Sequence, residues 1–132
     1  MNLRFRLTVF AILAMITFGP TSASALTAVG PAPGLACMSL DSQALQTTQQ
    51  SELPPVLAGP NASAPRIGYP TEFIFVKWSL VQEDGYTEME MFNGQTGWIA
   101  TAHLRTWQPL NGGTAKCVPS IMSNGELGTS IH

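Results

Sequence analysis

The chain has 132 residues, 45% of them hydrophobic and only 11% charged, with a formal net charge of −2. That length supplies one small domain and is too short for two. Six lysines and arginines against eight acidic residues leave no basic excess to hold nucleic acid or an anionic lipid surface.

The N-terminal segment reads as an export signal. Arg4 and Arg6 precede an uncharged apolar run from Leu7 to Phe18, and Ala23-Ser24-Ala25 fits the small-residue cleavage pattern. The run is shorter than the ~20 residues of a spanning helix, so no stable membrane insertion is expected once residues 1–25 are removed. An uncleaved anchor is the competing reading. Phe5 separates the two arginines, which favours the general secretory route over the twin-arginine one. Residues 26–132 then carry Arg66, Lys77, Arg105 and Lys116 against eight acidic residues, a net charge of −4. A periplasmic or secreted protein is expected, one that holds its ligand by stacking and hydrogen bonds rather than by bulk charge.

Residues 26–53 are expected to be a tether with a short helix. Leu26 to Ala36 is rich in Ala, Pro and Gly. Ser39 to Glu52 has Ser39 or Asp41 as a possible cap, a weak apolar stripe, and Pro54-Pro55 to end it. Cys37 lies in this segment and Cys117 in the tail, and there are no other cysteines. In an oxidising compartment such a pair reads as one disulfide, which would fasten the flanking segments to the domain. Closing a loop of that size stabilises by about 4.5 kcal/mol in the chain-entropy model. The competing reading, a free or metal-binding thiol pair, lacks further ligands, since the remaining soft donors are His103 and His132. No metal site and no cofactor is expected. Leu35-Ala36-Cys37 faintly matches a lipoprotein box, but it lies far from the apolar run and has Gly34 where an aliphatic residue belongs.

Residues 54–108 hold the strand signals. A short strand at Val56 to Ala58 is followed by a turn-rich loop from Gly59 to Arg66. Glu72-Phe73-Ile74-Phe75-Val76-Lys77-Trp78 is dense in β-branched and aromatic residues. Glu83-Asp84-Gly85 marks a turn, Tyr86 to Phe92 alternates polar and apolar, and Asn93-Gly94 leads into Gly97-Trp98-Ile99-Ala100. Thr101 to Leu104 reads as a closing turn. Beyond Pro109, Asn111-Gly112-Gly113 and Ser123-Asn124-Gly125 interrupt the chain, so 109–132 is expected to be irregular and pinned at Cys117.

The Asn93-Gly94 turn decides which side chains face inward. A two-residue turn pairs Met89 with Trp98 on one face. A three-residue loop of Phe92, Asn93 and Gly94, with Gly94 left-handed, pairs Thr87 with Ile99 and places Ile99 on a face with Met89 and Met91. One residue of slip exchanges the faces. The second register buries the three apolar residues together and turns Tyr86, Glu88 and Trp98 outward, so it is the one expected.

With Val56-Leu57-Ala58-Gly59-Pro60-Asn61 at its front and Gly97-Trp98-Ile99 after its turn, this stretch resembles a bacterial Src-homology-3-like domain. That family carries a Gly-Pro-Ser-type opening, a central strand, an aromatic strand, and a turn followed by Gly-Trp-Val or Gly-Trp-Ile. The resemblance covers about half of residues 26–132. It implies an all-β fold, a small barrel of about five strands, and a binding module rather than an enzyme. Relatives bind cell-wall peptides or serve as targeting and interaction modules on wall enzymes. The acidic loop and paired tryptophans with which eukaryotic relatives grip proline-rich helices are missing here.

The expected ligand surface is Trp98, Tyr86 and Glu88, rimmed by the Gly59 to Arg66 loop, because tryptophan and tyrosine join an apolar body to a polar tip. Trp78 and Trp107 are expected to plug the barrel and its edge. The expected partner is peptidoglycan or a periplasmic or secreted protein. The alternative is a small secreted inhibitor of a hydrolase. A remote alternative is a wall hydrolase using Glu88 and Glu90, whose carboxylates would share a face about 6 to 7 Å apart. No Ser-His-acid or Cys-His arrangement and no nucleophile elbow accompanies His103, so no catalytic residue is assigned. Asn61-Ala62-Ser63 matches a glycosylation acceptor but reads better as part of the loop.

Overall fold

The structure, a computed structural model, describes residues 25–46 and 49–132. The expected export signal, apart from Ala25, lies outside the described residues. Those described form an all-β fold: β1 (Ala28–Pro31), β2 (Leu35–Leu40), β3 (Val56–Leu57), β4 (Arg66–Gly68), β5 (Phe73–Lys77), β6 (Gln82–Glu83), β7 (Tyr86–Glu90), β8 (Thr96–Ala100), β9 (Leu104–Thr106), β10 (Cys117–Met122) and β11 (Leu127–Ile131). Between them lie four single 3-10 turns. Eight strands make one antiparallel sheet in the order β4-β3-β8-β7-β5-β2-β9, with β6 attached to β7, and β1-β10-β11 make a second. Among the described residues no ladder joins β4 to β9, so the larger sheet is open where a closed barrel was expected.

The β7–β8 hairpin has the three-residue loop expected from its sequence. Met91 N–H donates to Gln95 O at 2.9 Å, Gly94 N–H donates to Met91 O at 2.8 Å, and Gly94 sits at φ +81°. Glycine reaches that left-handed region at no steric cost, and one such residue sets the bulge and the register. Thr87 faces Ile99, Glu88 faces Trp98 and Met89 faces Gly97. Gly97 has to be glycine for a second reason, since a Cβ there would collide with Val56 Cγ1 and lie 3.1 Å from Ile67 Cδ1.

The inward face of the large sheet carries the core. Leu40, Val56, Ile74, Val76, Met89, Ile99 and Leu104 form one buried cluster, with Ala36, Met38, Leu53, Ile67 and Met91 packed against it. Thr87 is fully buried among them, its hydroxyl 2.8 Å from that of Thr101 and accepting from Gln82 Nε2 at 3.3 Å. The opposite face of β2 and β5 carries Cys37 beside Phe75. There the Cys37–Cys117 disulfide, with its Cα atoms 6.1 Å apart, fastens β10 of the smaller sheet to β2. Phe75 is 1% exposed and meets Phe92 edge-on at 5.9 Å.

Three further expectations change. Residues 26–53, expected as tether and helix, supply β1 and β2. The latter lies between β5 and β9 in the large sheet, so the domain does not begin at 54. Ala36, Met38 and Leu40 alternate inward, and where a helix was expected Asp41 Oδ1 accepts from Gln43 N–H at 3.0 Å ahead of a single 3-10 turn at Ala44–Gln46. The tail 109–132, expected to be irregular, forms the β10–β11 hairpin. Its turn copies the first one: Met122 N–H donates to Glu126 O at 2.8 Å, Gly125 N–H donates to Met122 O at 2.8 Å, and Gly125 has φ +84°. Trp78 plugs nothing, being 67% exposed, because β5 ends at Lys77 and the chain leaves the sheet before alternation can turn the ring inward.

Candidate functional site

Tyr86, Glu88 and Trp98 lie half-buried on the sheet face opposite Met89 and Ile99, since the buried positions of β7 and β8 are Thr87, Met89, Gly97 and Ile99. Trp98 is directly across from Glu88, and Tyr86 is paired with Ala100, diagonal to Trp98. Such diagonal neighbours stay within reach of aromatic side chains. On its other side Trp98 faces Leu57 of β3. The chain then turns away through the Gly59 to Pro65 loop, which is closed by Ala58 N–H donating to Pro65 O at 2.8 Å. Within that loop Asn61 Oδ1 accepts from Ser63 N–H at 3.1 Å, so the Asn-Ala-Ser triplet forms a side-chain-capped turn.

The carboxylate pair on β7 is not symmetrical. Lys77 Nζ donates to Glu90 Oε1 at 2.6 Å, and both side chains are part-exposed. That hydrogen bond, opposed by burial and aided by the charges of Glu90 and Glu88, holds the Lys77 ammonium above its ordinary pKa. Glu90 is thus occupied by a cation, while Glu88 lies beside Trp98. Among the described residues no three His, Cys, Asp or Glu side chains group as metal ligands.

An apolar loop that sequence reasoning did not single out borders this face. Trp78, Leu80 and Val81 are 67%, 40% and 42% exposed, and Val81 O accepts from Glu88 N–H at 2.9 Å. The run Trp-Ser-Leu-Val just past the strongest strand was its signal, since three large apolar residues there have no alternation left to bury them. The link between this loop and the Tyr86–Trp98 face is made by the backbone, at Val81 beside Glu88.

Two clefts lie elsewhere, where the β5–β7 ladder ends beyond Phe75–Glu90. The first, of about 200 Å³, is walled by Tyr69, Phe73, Met91 and Phe92, with Glu90 and Glu126 in its lining. Arg66 covers one face of Tyr69 at 4.7 Å. The second, of about 500 Å³, is walled by Phe73, Trp107, Pro109, Leu110 and Ile131, with Glu72 in its lining. Trp107 therefore lines a cleft at the sheet edge and is half-buried. Neither cleft touches Trp98, Tyr86 or Glu88.

No family model matches the chain, and no curated protein and no solved structure matches it.

Proposed function

We propose that the chain is a non-enzymatic, exported binding module of bacterial Src-homology-3-like type, which holds peptidoglycan, a cell-wall peptide or a protein partner on the aromatic surface of Trp98, Tyr86 and Glu88. The observation that carries this reading is the outward placement of Tyr86 and Trp98 on a hairpin whose other face is core. A rigid backbone under half-exposed rings costs little ordering on binding. The strand order β9-β2-β5-β7-β8, with a 3-10 turn at Thr101–His103 before β9, supports the family resemblance. The disulfide supports an oxidising compartment.

Co-sedimentation of the protein with purified peptidoglycan tests the reading. Binding that falls about tenfold or more in Trp98→Ala, with the fold retained, supports it. A Trp98→Ala protein that sediments like the parent overturns the assigned surface, and a parent that sediments with neither peptidoglycan nor wall peptides overturns the wall ligand.

A further inference from the structure

The smaller sheet ends in an unpaired edge. Lys116 and His132 exchange both backbone hydrogen bonds, at 2.8 and 3.0 Å. Bonded and non-bonded pairs alternate along an antiparallel ladder. Val118–Ser130 and Ser120–Gly128 are therefore the bonded pairs, while Leu127, Thr129 and Ile131 point their backbone groups away from β10. Leu127 N–H is already taken, donating to Phe92 O at 2.8 Å. The N–H and C=O groups of Thr129 and Ile131 have no partner among the described residues.

The two clefts lie along this edge. Glu126, just before β11, lines the first, Ile131 at its far end lines the second, and Phe73 lines both. The pair of clefts shares Phe73 and touches the two ends of the β11 segment, and Leu110 in the second is 91% exposed. Their lining contains three carboxylates and no Lys, Arg or His. Glu90 is paired with Lys77, whereas Glu72 and Glu126 have no cation partner among the described residues.

We propose that the outer edge of β11 receives an extended, basic segment of a protein partner as an added strand. The segment pairs its backbone with Thr129 and Ile131, places apolar side chains in the two clefts, and brings lysines or arginines to Glu72 and Glu126. Main-chain pairing gives such a contact its affinity, and the pockets and charges give it selectivity. The proposal rests on the reading of the chain as a binding module, and it puts a second contact well apart from Trp98.

The probe is a blocked six-residue peptide of alternating isoleucine and lysine, compared with its glutamate-for-lysine and backbone-N-methylated counterparts. Amide exchange is followed residue by residue in the disulfide-bonded protein. The lysine peptide is expected to slow exchange at Thr129 and Ile131 at least tenfold, with Gly128 and Ser130 unchanged, and the two counterparts are expected to do neither. Thr129→Pro removes an outward N–H that the ladder does not use, and it is expected to weaken peptide binding at least tenfold. Glu72→Gln with Glu126→Gln, both at exposed positions, is expected to weaken it severalfold and to flatten its salt dependence. Peptide bound without protection at Thr129 and Ile131, or the glutamate peptide bound equally well, overturns the proposal. So does protection of both amides in the free protein, with self-association pointing to a second copy and its absence to another part of the chain. Loss of this contact with Trp98-dependent wall binding intact overturns the edge alone; the reverse overturns the Trp98 surface alone.

Discussion

Gly97 is the position where a single carbon atom tests the packing of the large sheet. A Cβ added there would overlap Val56 Cγ1 and approach Ile67 Cδ1 to 3.1 Å and the Leu57 carbonyl oxygen to 3.4 Å. Val56 is fully buried and the Leu57 contact is backbone, so relief requires β3 to shift against β8. Overpacking of this kind costs roughly 1–3 kcal/mol, so Gly97→Ala should lose about 2 kcal/mol. Val56→Ala alone should also lose about 2 kcal/mol, by leaving a cavity. In the double variant the new methyl enters the space that Cγ1 vacates, so the combined loss should fall short of the sum by about 1 kcal/mol or more. Urea unfolding of the disulfide-bonded protein measures this, since 2 kcal/mol moves the midpoint by roughly 1 M at a slope near 2 kcal/mol/M. Losses that add to within about 0.5 kcal/mol, as they do for independent sites, would refute the contact and with it the placement of β3 across Gly97.

Two further predictions follow from the cross-link and from the charge pair. Mass measurement of the unreduced protein should find no alkylatable thiol, and Cys37→Ser should lower stability by a few kcal/mol, because the bridge spans 80 positions; two free thiols in native protein would sink this. The Lys77 pKa is raised in the folded state, chiefly by its hydrogen bond to Glu90, so the stability it contributes is complete below its ordinary value of 10.5 and is lost as pH rises through the folded value. The stability gap between the parent and Glu90→Gln should therefore be constant from pH 7 to 9 and narrow above pH ~11, and a gap that widens there contradicts the pairing.

The register of β7 and β8 was legible because Asn-Gly after an alternating strand allows few turn geometries, and only one of them buries Met89 and Ile99 together. The outward placement of Tyr86, Glu88 and Trp98 follows from that register by parity. The second hairpin carried the same information, since Met122-Ser-Asn-Gly-Glu126 repeats Met91-Phe-Asn-Gly-Gln95. It was passed over because Ser123-Asn124-Gly125 reads as a break as readily as a hairpin turn, and Pro119 weakens the strand signal before it. The missing N–H of Pro119 falls on the β1 side just past that strand's end, since Pro31 faces Ser120, while the Pro119 carbonyl still accepts from Ala32 N–H at 2.8 Å. Likewise β2 was hidden by its Ala-Pro-Gly-rich approach. Its inward residues Ala36 and Met38 are modest in size, and their value comes from β5 and β9 on either side, which local pattern does not reveal. The clefts were not legible at all, because Phe73 joins Tyr69 and Phe92 on one side and Ile131 on the other only after both sheets are in place.

The smaller sheet also fixes an order of events in time. Ala28 of β1 finds its partner at Met122, 94 positions further along the chain, and Cys37 finds Cys117 at nearly the same distance. The β7–β8 and β10–β11 hairpins close over a few residues and can form as soon as their own segments exist, whereas β1 has no ladder until β10 has been made. Contacts of such separation form late, after loop closure has been met by other gains. By that rule β1, the first of the described strands in sequence, is expected among the last to be placed, together with the Cys37–Cys117 closure.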